Sequence, residues 1–189
     1  MIVAMLGFAI EDSLIRLISL SIPFGQVLFL FGLGGALIFA FFCKVQKQQL
    51  FVKEVFSRPM IIRMFFELIG RLFYSLSLVL MPISLVTLVL QATPIFVVAG
   101  AALIFRESVG VFRWIAIFSG LLGVILIIKP ASDGFSPYVL FAVLGMLGFA
   151  GRDLGSRAAS PKLSYHHLGF YGFIAVMSAG IIFSVWAKT

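Results

Sequence analysis

Hydrophobic positions dominate the chain in long stretches, and polar residues collect in the short segments between them. Seven stretches are each about 20 residues long, the length that an α-helix needs to cross roughly 30 Å of hydrocarbon. They span residues 1 to 20, 23 to 43, 60 to 80, 83 to 105, 111 to 129, 137 to 157 and 165 to 187. Strands of a membrane barrel would alternate polar and apolar positions, and these segments do not. The pattern therefore predicts an all-α, polytopic membrane helix bundle.

Composition supports the same class. Hydrophobic residues make up 62% of the chain, charged residues only 11%, and the mean hydropathy is +1.18. This leaves too little polar surface for a water-soluble domain of 189 residues.

The single Cys43 has no partner for an intramolecular disulfide. His166 and His167 are adjacent, so they point about 100° apart on a helix and cannot chelate a metal together. They are interpreted as interfacial polar residues, and the sequence predicts no metal or cofactor.

Basic residues occur in every second connector. The connector after the second stretch is strongly basic, those after the fourth and sixth stretches are also basic, and the others are uncharged or balanced. The basic side chains are Lys44, Lys47, Lys53 and Arg58, then Arg106 and Arg113, then Arg157 and Lys162. Cytoplasmic loops carry such an excess, so the N-terminus is predicted to be cytoplasmic. The net charge of +7 thus reflects membrane topology, and no nucleic-acid partner is expected.

An internal repeat links the start of the chain to its sixth stretch. Residues Met5 to Ala9 recur unchanged as Met146 to Ala150, an offset of 141. At that offset Asp12 matches Asp153, Arg16 matches Arg157 and Ser19 matches Ser160. Five crossings separate the two copies, and an odd number inverts the second copy. Inverted repeats are typical of secondary transporters. Residues 1–130 are predicted to form one five-helix repeat, and residues 131–189 the first two helices of a second.

Three acid–base pairs lie inside the apolar stretches, where each charge costs roughly 2.5 to 3.5 kcal/mol at a helix centre. They are Asp12 with Arg16, Glu67 with Arg71, and Asp153 with Arg157. The acid precedes the base by four residues, a spacing that lets both side chains meet on one helical face. Two interpretations remain open: the pairs merely neutralise themselves for insertion, or they belong to polar stripes that line a wet cavity.

The fourth stretch has a polar face of its own. Ser84, Thr87 and Gln91 are spaced by three and four residues, and Pro94 then frees the carbonyl of Leu90 near mid-membrane. Two interpretations of this break remain open: it borders a substrate site, or it is a proline kink that only shapes helix packing. Residues predicted to line a substrate or ion pathway are Asp12, Arg16, Glu67, Arg71, Tyr74, Gln91, Arg152, Asp153 and Arg157.

Several motifs in the fourth and fifth stretches resemble a known family. Ala92-Thr93-Pro94-Ile95-Phe96 through Phe105-Arg106-Glu107, then Arg113-Trp114 and Ser119-Gly120-Leu121-Leu122-Gly123-Val124, resemble the EamA domain of the drug/metabolite transporter superfamily. The resemblance implies a permease of the bacterial inner membrane with ten helices, two inverted halves and a central cavity for small organic metabolites. This sequence has seven predicted helices. We therefore expect a C-terminally truncated chain, unless two copies combine as a homodimer to complete a cavity.

The leading functional hypothesis is secondary-active import or export of small polar organic metabolites. Acids are candidates for coupling to protons, and arginines for holding a carboxylate or a phosphate-like group. The partners are then membrane lipids, a small-molecule substrate and protons. The alternative is a non-transporting membrane scaffold or interaction subunit. The sequence contains no His-Glu-x-x-His or Gly-x-Ser-x-Gly pattern, so no enzymatic activity is predicted.

Overall fold

Helices account for nearly all of the described structure. The computed structural model describes residues 2–19, 21–107, 110–128 and 137–186, except for some side chains in its first, sixth and last helices. The helices are α1 Ile2–Ser19, α2 Phe24–Val45, α3 Arg58–Leu80, α4 Ile83–Leu90, α5 Thr93–Ile104, α6 Val111–Ile128, α7 Val139–Ala158 and α8 Tyr165–Trp186, with a 3₁₀ turn at Lys53–Phe56. No strand occurs in these ranges. The predicted all-α helix bundle is confirmed.

Four of the described helical segments are long and apolar enough to cross a membrane. Among the described residues four segments meet the requirements for a membrane span by length and composition, namely Phe24–Val45, Ile83–Ile104, Val139–Ala158 and Tyr165–Val185. The second of these combines α4 and α5, which the break at Pro94 separates. Pro94 has no N–H to donate to the Leu90 carbonyl, and the Thr93 hydroxyl donates to that carbonyl instead. The predicted interruption is therefore present, and its freed carbonyl is satisfied locally.

Two compact units divide the chain. One comprises Met1–Val52 and Leu163–Thr189, and the other comprises Lys53–Lys162. Each unit joins helices from both predicted repeats, because α2 packs extensively on α8 in the first unit and α3 on α7 in the second. The units of packing thus differ from the predicted repeats at 1–130 and 131–189, and that division stays a prediction from the sequence.

Helices α2 and α8 run antiparallel at very short distance. A Cβ added at Gly32 would lie 2.5 Å from the Met177 amide nitrogen, and one added at Gly169 would lie 2.5 Å from the Phe39 ring. Residues with higher numbers in α2 therefore contact residues with lower numbers in α8, as in any antiparallel helix pair. The offset of 141 makes these two helices equivalent copies, so their opposite directions fit the inverted repeat. Lipid provides no hydrophobic drive for helix association, and close backbone approach at small residues takes its place.

Helices α3 and α7 meet in the same way. A Cβ added at Gly145 would lie 2.9 Å from the Tyr74 amide nitrogen, and one added at Gly148 would collide with the Gly70 backbone. Gly148 belongs to the second copy of the repeated Met-Leu-Gly-Phe-Ala motif, so α3 packs on that copy of the motif. At the equivalent Gly7 an added Cβ would meet no described atom within 4 Å. The two copies of the motif are thus packed differently.

Candidate functional site

The α3 face that packs on α7 carries two buried charged residues. Arg63 and Glu67 lie one helical turn apart and are 7% and 4% exposed. They continue the buried stripe that Gly70 and Tyr74 form further along α3. The stripe follows the helical period of three and four residues, so these side chains share one face. The glycines of α7 that face this stripe allow α3 to approach closely, because they have no side chain.

Glu67 forms an ion pair across the helix interface. Arg152 Nη1 lies 3.6 Å from Glu67 Oε1, and Arg152 Nη2 lies 2.9 Å from Asp153 Oδ1. Arg152 Nε also donates to Asp153 Oδ1 at 2.9 Å. One guanidinium therefore pairs with two carboxylates, of which Glu67 is almost fully buried. A buried carboxylate without such a partner would be strongly destabilising.

Aromatic side chains enclose this ion pair. The guanidinium carbon of Arg152 lies 4.9 Å from the centre of the Phe149 ring, and that of Arg71 lies 5.7 Å from it. Tyr74 contacts the same ring edge-on, with ring centres 5.6 Å apart. A ring face attracts cations, and this attraction grows when water is excluded. Phe149 thus contacts both arginines.

Arg63 has a different environment. Its Nε donates to Ser156 Oγ at 2.7 Å, and the Ser156 hydroxyl donates to the Arg152 carbonyl at 2.9 Å. Its Nη1 is buried and has no hydrogen-bond partner among the described residues. Within that part of the chain, Arg63 also forms no ion pair within 4.0 Å. Among the described residues, the hydroxyl of Ser156 is thus the one hydrogen-bond acceptor of this buried guanidinium.

Most of the predicted pathway residues of α3 and α7 come together, namely Glu67, Arg71, Tyr74, Arg152 and Asp153. The predicted Asp153–Arg157 pair is wrong. Asp153 binds the adjacent Arg152, whereas Arg157 Nη2 lies 2.8 Å from Glu107 Oε1 beyond the end of α5. Arg157 is half exposed and lies outside the buried cluster. Tertiary neighbours compete with the helical i, i+4 partner, and here they prevail.

Other predicted residues lie outside this cluster. Gln91 is exposed at the break between α4 and α5, because α4 packs through Val86 and Val89. The predicted polar face of the fourth stretch therefore does not join Glu67. The side chains of Asp12 and Arg16 lie outside the described part of the structure.

Sequence reasoning missed three contributors, Arg63, Ser156 and Phe149. Arg63 lies just beyond the basic connector in the sequence, but in the structure it is one turn inside α3 and four residues before Glu67. The base-acid-base series at 63, 67 and 71 is the signal that could have identified it. Ser156 follows Arg152 by four residues on the same face of α7. No local sequence pattern predicts that the Phe149 ring contacts two arginines.

A second polar cluster occupies the unit that contains α2 and α8. His166 and His167 were predicted only as interfacial residues, and the structure buries both. His167 Nδ1 lies 2.8 Å from Ser164 Oγ and its Nε2 lies 2.8 Å from the Gln49 carbonyl oxygen. Ser164 also donates to Gln48 Oε1 at 2.7 Å. The cluster thus ties the connector after α2 to the start of α8.

The long apolar helices define an integral membrane protein, and one of its helix pairs, α3 and α7, carries a buried ion pair. The chain belongs to the EamA-like transporter family, whose sequence profile matches residues 1–129. This membership confirms the resemblance seen in the sequence, and the family is one of transporters.

Curated relatives carry transporter names. The chain is 27% identical over 134 residues to an S-adenosylmethionine uptake transporter of Rickettsia prowazekii, covering 69% of this chain and 46% of that protein. It is 28% identical to the protein of that name from Rickettsia felis, with the same coverage. It is 34% identical over 77 residues to a riboflavin transporter of Vibrio cholerae, covering 41% of this chain and 24% of the relative. The matched part is about half the length of the Rickettsia proteins, and no solved structure matches.

Proposed function

We propose that this chain acts in secondary-active transport, import or export, of small polar organic metabolites across the bacterial inner membrane. Family membership and the names of the relatives support transport of small metabolites. The observation that carries the proposal is the buried Glu67–Arg152 pair, because charges inside a membrane bundle are costly and mark pathways. The proposed orientation has a cytoplasmic N-terminus, as the loop charges predict.

Protons are the proposed coupling ion, with Glu67 as the group that binds them. Protonation of Glu67 would remove its charge and leave Arg152 paired only with Asp153. The contact between α3 and α7 would then weaken at this level of the bundle. A substrate carboxylate or phosphate-like group could take the vacated position beside Arg152. Proton binding and substrate binding would thus act on one guanidinium.

Flux through proteoliposomes tests this function. The purified chain is reconstituted with an imposed pH gradient, and entry of radiolabelled S-adenosylmethionine and riboflavin is measured with a panel of other polar metabolites. We expect gradient-dependent flux of at least one solute, lost in Glu67→Gln. Glu107→Gln is the matched control, since it makes the same change in the exposed pair with Arg157. No flux at any substrate or pH would favour the alternative, a non-transporting membrane scaffold.

A further inference from the structure

Arg63 is a buried cation that makes no direct ion pair among the described residues, although Glu67 and Asp153 lie close enough to offset part of its charge. It is 7% exposed, and among the described residues its Nη1 has no hydrogen-bond partner. The nearest acid along its helix, Glu67, is engaged by Arg152 at 3.6 Å. Burial of a charged N–H donor without an acceptor is costly, so a protein retains one for a reason. The group that Nη1 lacks is a hydrogen-bond acceptor, and an anionic oxygen is the acceptor that a guanidinium binds most strongly.

The surroundings of Arg63 hold its side chain in place. A Cβ added at Gly155 of α7 would lie 2.9 Å from Arg63 Cβ, so the absence of a side chain at Gly155 permits this approach. The Ser156 hydroxyl proton is donated to the Arg152 carbonyl, and its oxygen is left to accept from Arg63 Nε. One edge of the guanidinium is thereby fixed. The Nη1 donor is buried and still without an acceptor among the described residues, so a ligand oxygen would reach it only after the local packing opens.

We propose that Arg63 binds the carboxylate of a transported solute. This inference rests on the proposed function and specifies its substrate class: an organic metabolite with a carboxylate group. A guanidinium matches the planar geometry of a carboxylate and forms charge-assisted hydrogen bonds with it. A lipid headgroup is the other source of an anionic oxygen. The solute is favoured because Arg63 packs against α7, whereas Arg58 on the same helix is exposed and suited to lipid.

Matched acid and amide probes test this assignment. The full chain is placed in phosphatidylcholine nanodiscs, and its Tm is followed by circular dichroism with nicotinate or nicotinamide and with benzoate or benzamide. A ligand that binds the folded state raises Tm. We expect the acids to raise Tm and the amides not to. Arg63→Gln should weaken the apparent affinity for the acids by about 10- to 100-fold, the loss expected for one charge-assisted hydrogen bond.

Two further variants sharpen the test. Arg58→Gln removes the same charge from the exposed end of α3 and should keep the response to the acids. Arg63→Lys retains the charge without the planar donor pair and should keep part of the response, even if Arg63→Gln fails to fold. Equal responses to acids and amides, including no response to either, would overturn the proposal, as would equal responses in the wild type and Arg63→Lys.

Lipid and flux measurements separate the remaining explanations. If phosphatidylglycerol nanodiscs stabilise the wild type more than Arg63→Gln while the acids do not, the ligand is a lipid headgroup and the proposal is wrong. If flux occurs but is unchanged in Arg63→Gln, the inference fails and the proposed transport stands. If acids bind through Arg63 without flux of any solute, the transport function fails and the carboxylate site stands.

Discussion

Glu67 of α3 and Arg152 of α7 form an ion pair across two helices whose backbones are brought together by glycine, with Arg152 Nη1 3.6 Å from Glu67 Oε1. Glu67 is 4% exposed, so its charge depends on this contact. Arg152 is held in turn by Asp153 and by the Phe149 ring. The pair therefore contributes to the packing of α3 on α7. Removing either charge should change both the stability of this packing and the electrostatics of the cluster.

Removing Arg152 alone should be worse than removing both members of the pair. We expect Arg152→Gln to lower the free energy of unfolding by up to about 3 to 5 kcal/mol, because the buried Glu67 loses its partner, and Glu67→Gln to cost less, because Arg152 keeps its pair with Asp153. The double variant should recover part of that loss. Reversible unfolding in detergent–denaturant mixtures measures the cycle. Glu107→Gln, in an exposed pair, should cost only about 0 to 1 kcal/mol. Purely additive effects of the two central substitutions would contradict the pairing.

Two glycines of α2 should respond in opposite directions to alanine. A Cβ at Gly32 would lie 2.5 Å from the Met177 amide nitrogen, whereas at Gly34 it would meet nothing within 4 Å. Gly34→Ala should stabilise the protein by up to about 1 kcal/mol through helix propensity. Gly32→Ala should destabilise it and separate α2 from α8. The Tm of each variant is the measurement, and a higher Tm for Gly32→Ala would disprove the close approach.

The same helix pair should protect the single cysteine. Cys43 is 0% exposed near the end of α2. A thiol-reactive fluorophore should therefore label it slowly in the folded protein and rapidly once α2 and α8 separate. We expect Gly32→Ala to accelerate labelling several-fold relative to Gly34→Ala. Equal labelling rates in the two variants would show that this packing does not control access to Cys43.

Ser164 links the start of α8 to the connector that follows α2. Ser164 joins His167 to Gln48, and His167 in turn lies 2.8 Å from the Gln49 carbonyl oxygen. Ser164→Ala should cost about 1 kcal/mol or more, since buried groups lose hydrogen bonds. Hydrogen exchange should then rise in residues 46 to 50. Ser178→Ala, which removes only a bond to Ile174 within α8, is the control and should leave that exchange unchanged.

Acid should weaken one contact outside the membrane-spanning segments. A hydrogen bond from its own backbone N–H, and then the hydrogen bond to Lys162, lower the pKa of Glu54. A carboxyl group with a lowered pKa contributes stability above its unfolded pKa, and that contribution is lost as the pH falls through the folded value. As the pH falls below the ordinary range of a glutamate carboxyl group, the Tm of the wild type should therefore drop slightly more than that of Glu54→Gln. Parallel pH profiles for the two proteins would refute this role.

Local sequence pattern predicted the elements well, because each membrane-spanning helix satisfies its own backbone hydrogen bonds. The stretch boundaries and the break at Pro94 were visible for that reason, and the antiparallel course of α2 and α8 fits the inversion expected from loop charge. The pairing of side chains was less predictable. Arg157 has an acid four residues earlier, yet it binds Glu107, which lies 50 residues away in the chain. Arg63 looked like a connector charge because only the packing of α3 on α7 buries it.

Flux of a labelled solute through proteoliposomes tests the central claim, transport through a path that includes the Glu67–Arg152 pair, most directly. The wild type and Glu107→Gln should move at least one polar metabolite at comparable rates that depend on the pH gradient. Glu67→Gln, at equal insertion and with intact helical content, should lose that dependence and at least 90% of the flux, roughly the tenfold effect of 1.4 kcal/mol. Unchanged, pH-dependent flux in Glu67→Gln would contradict the account.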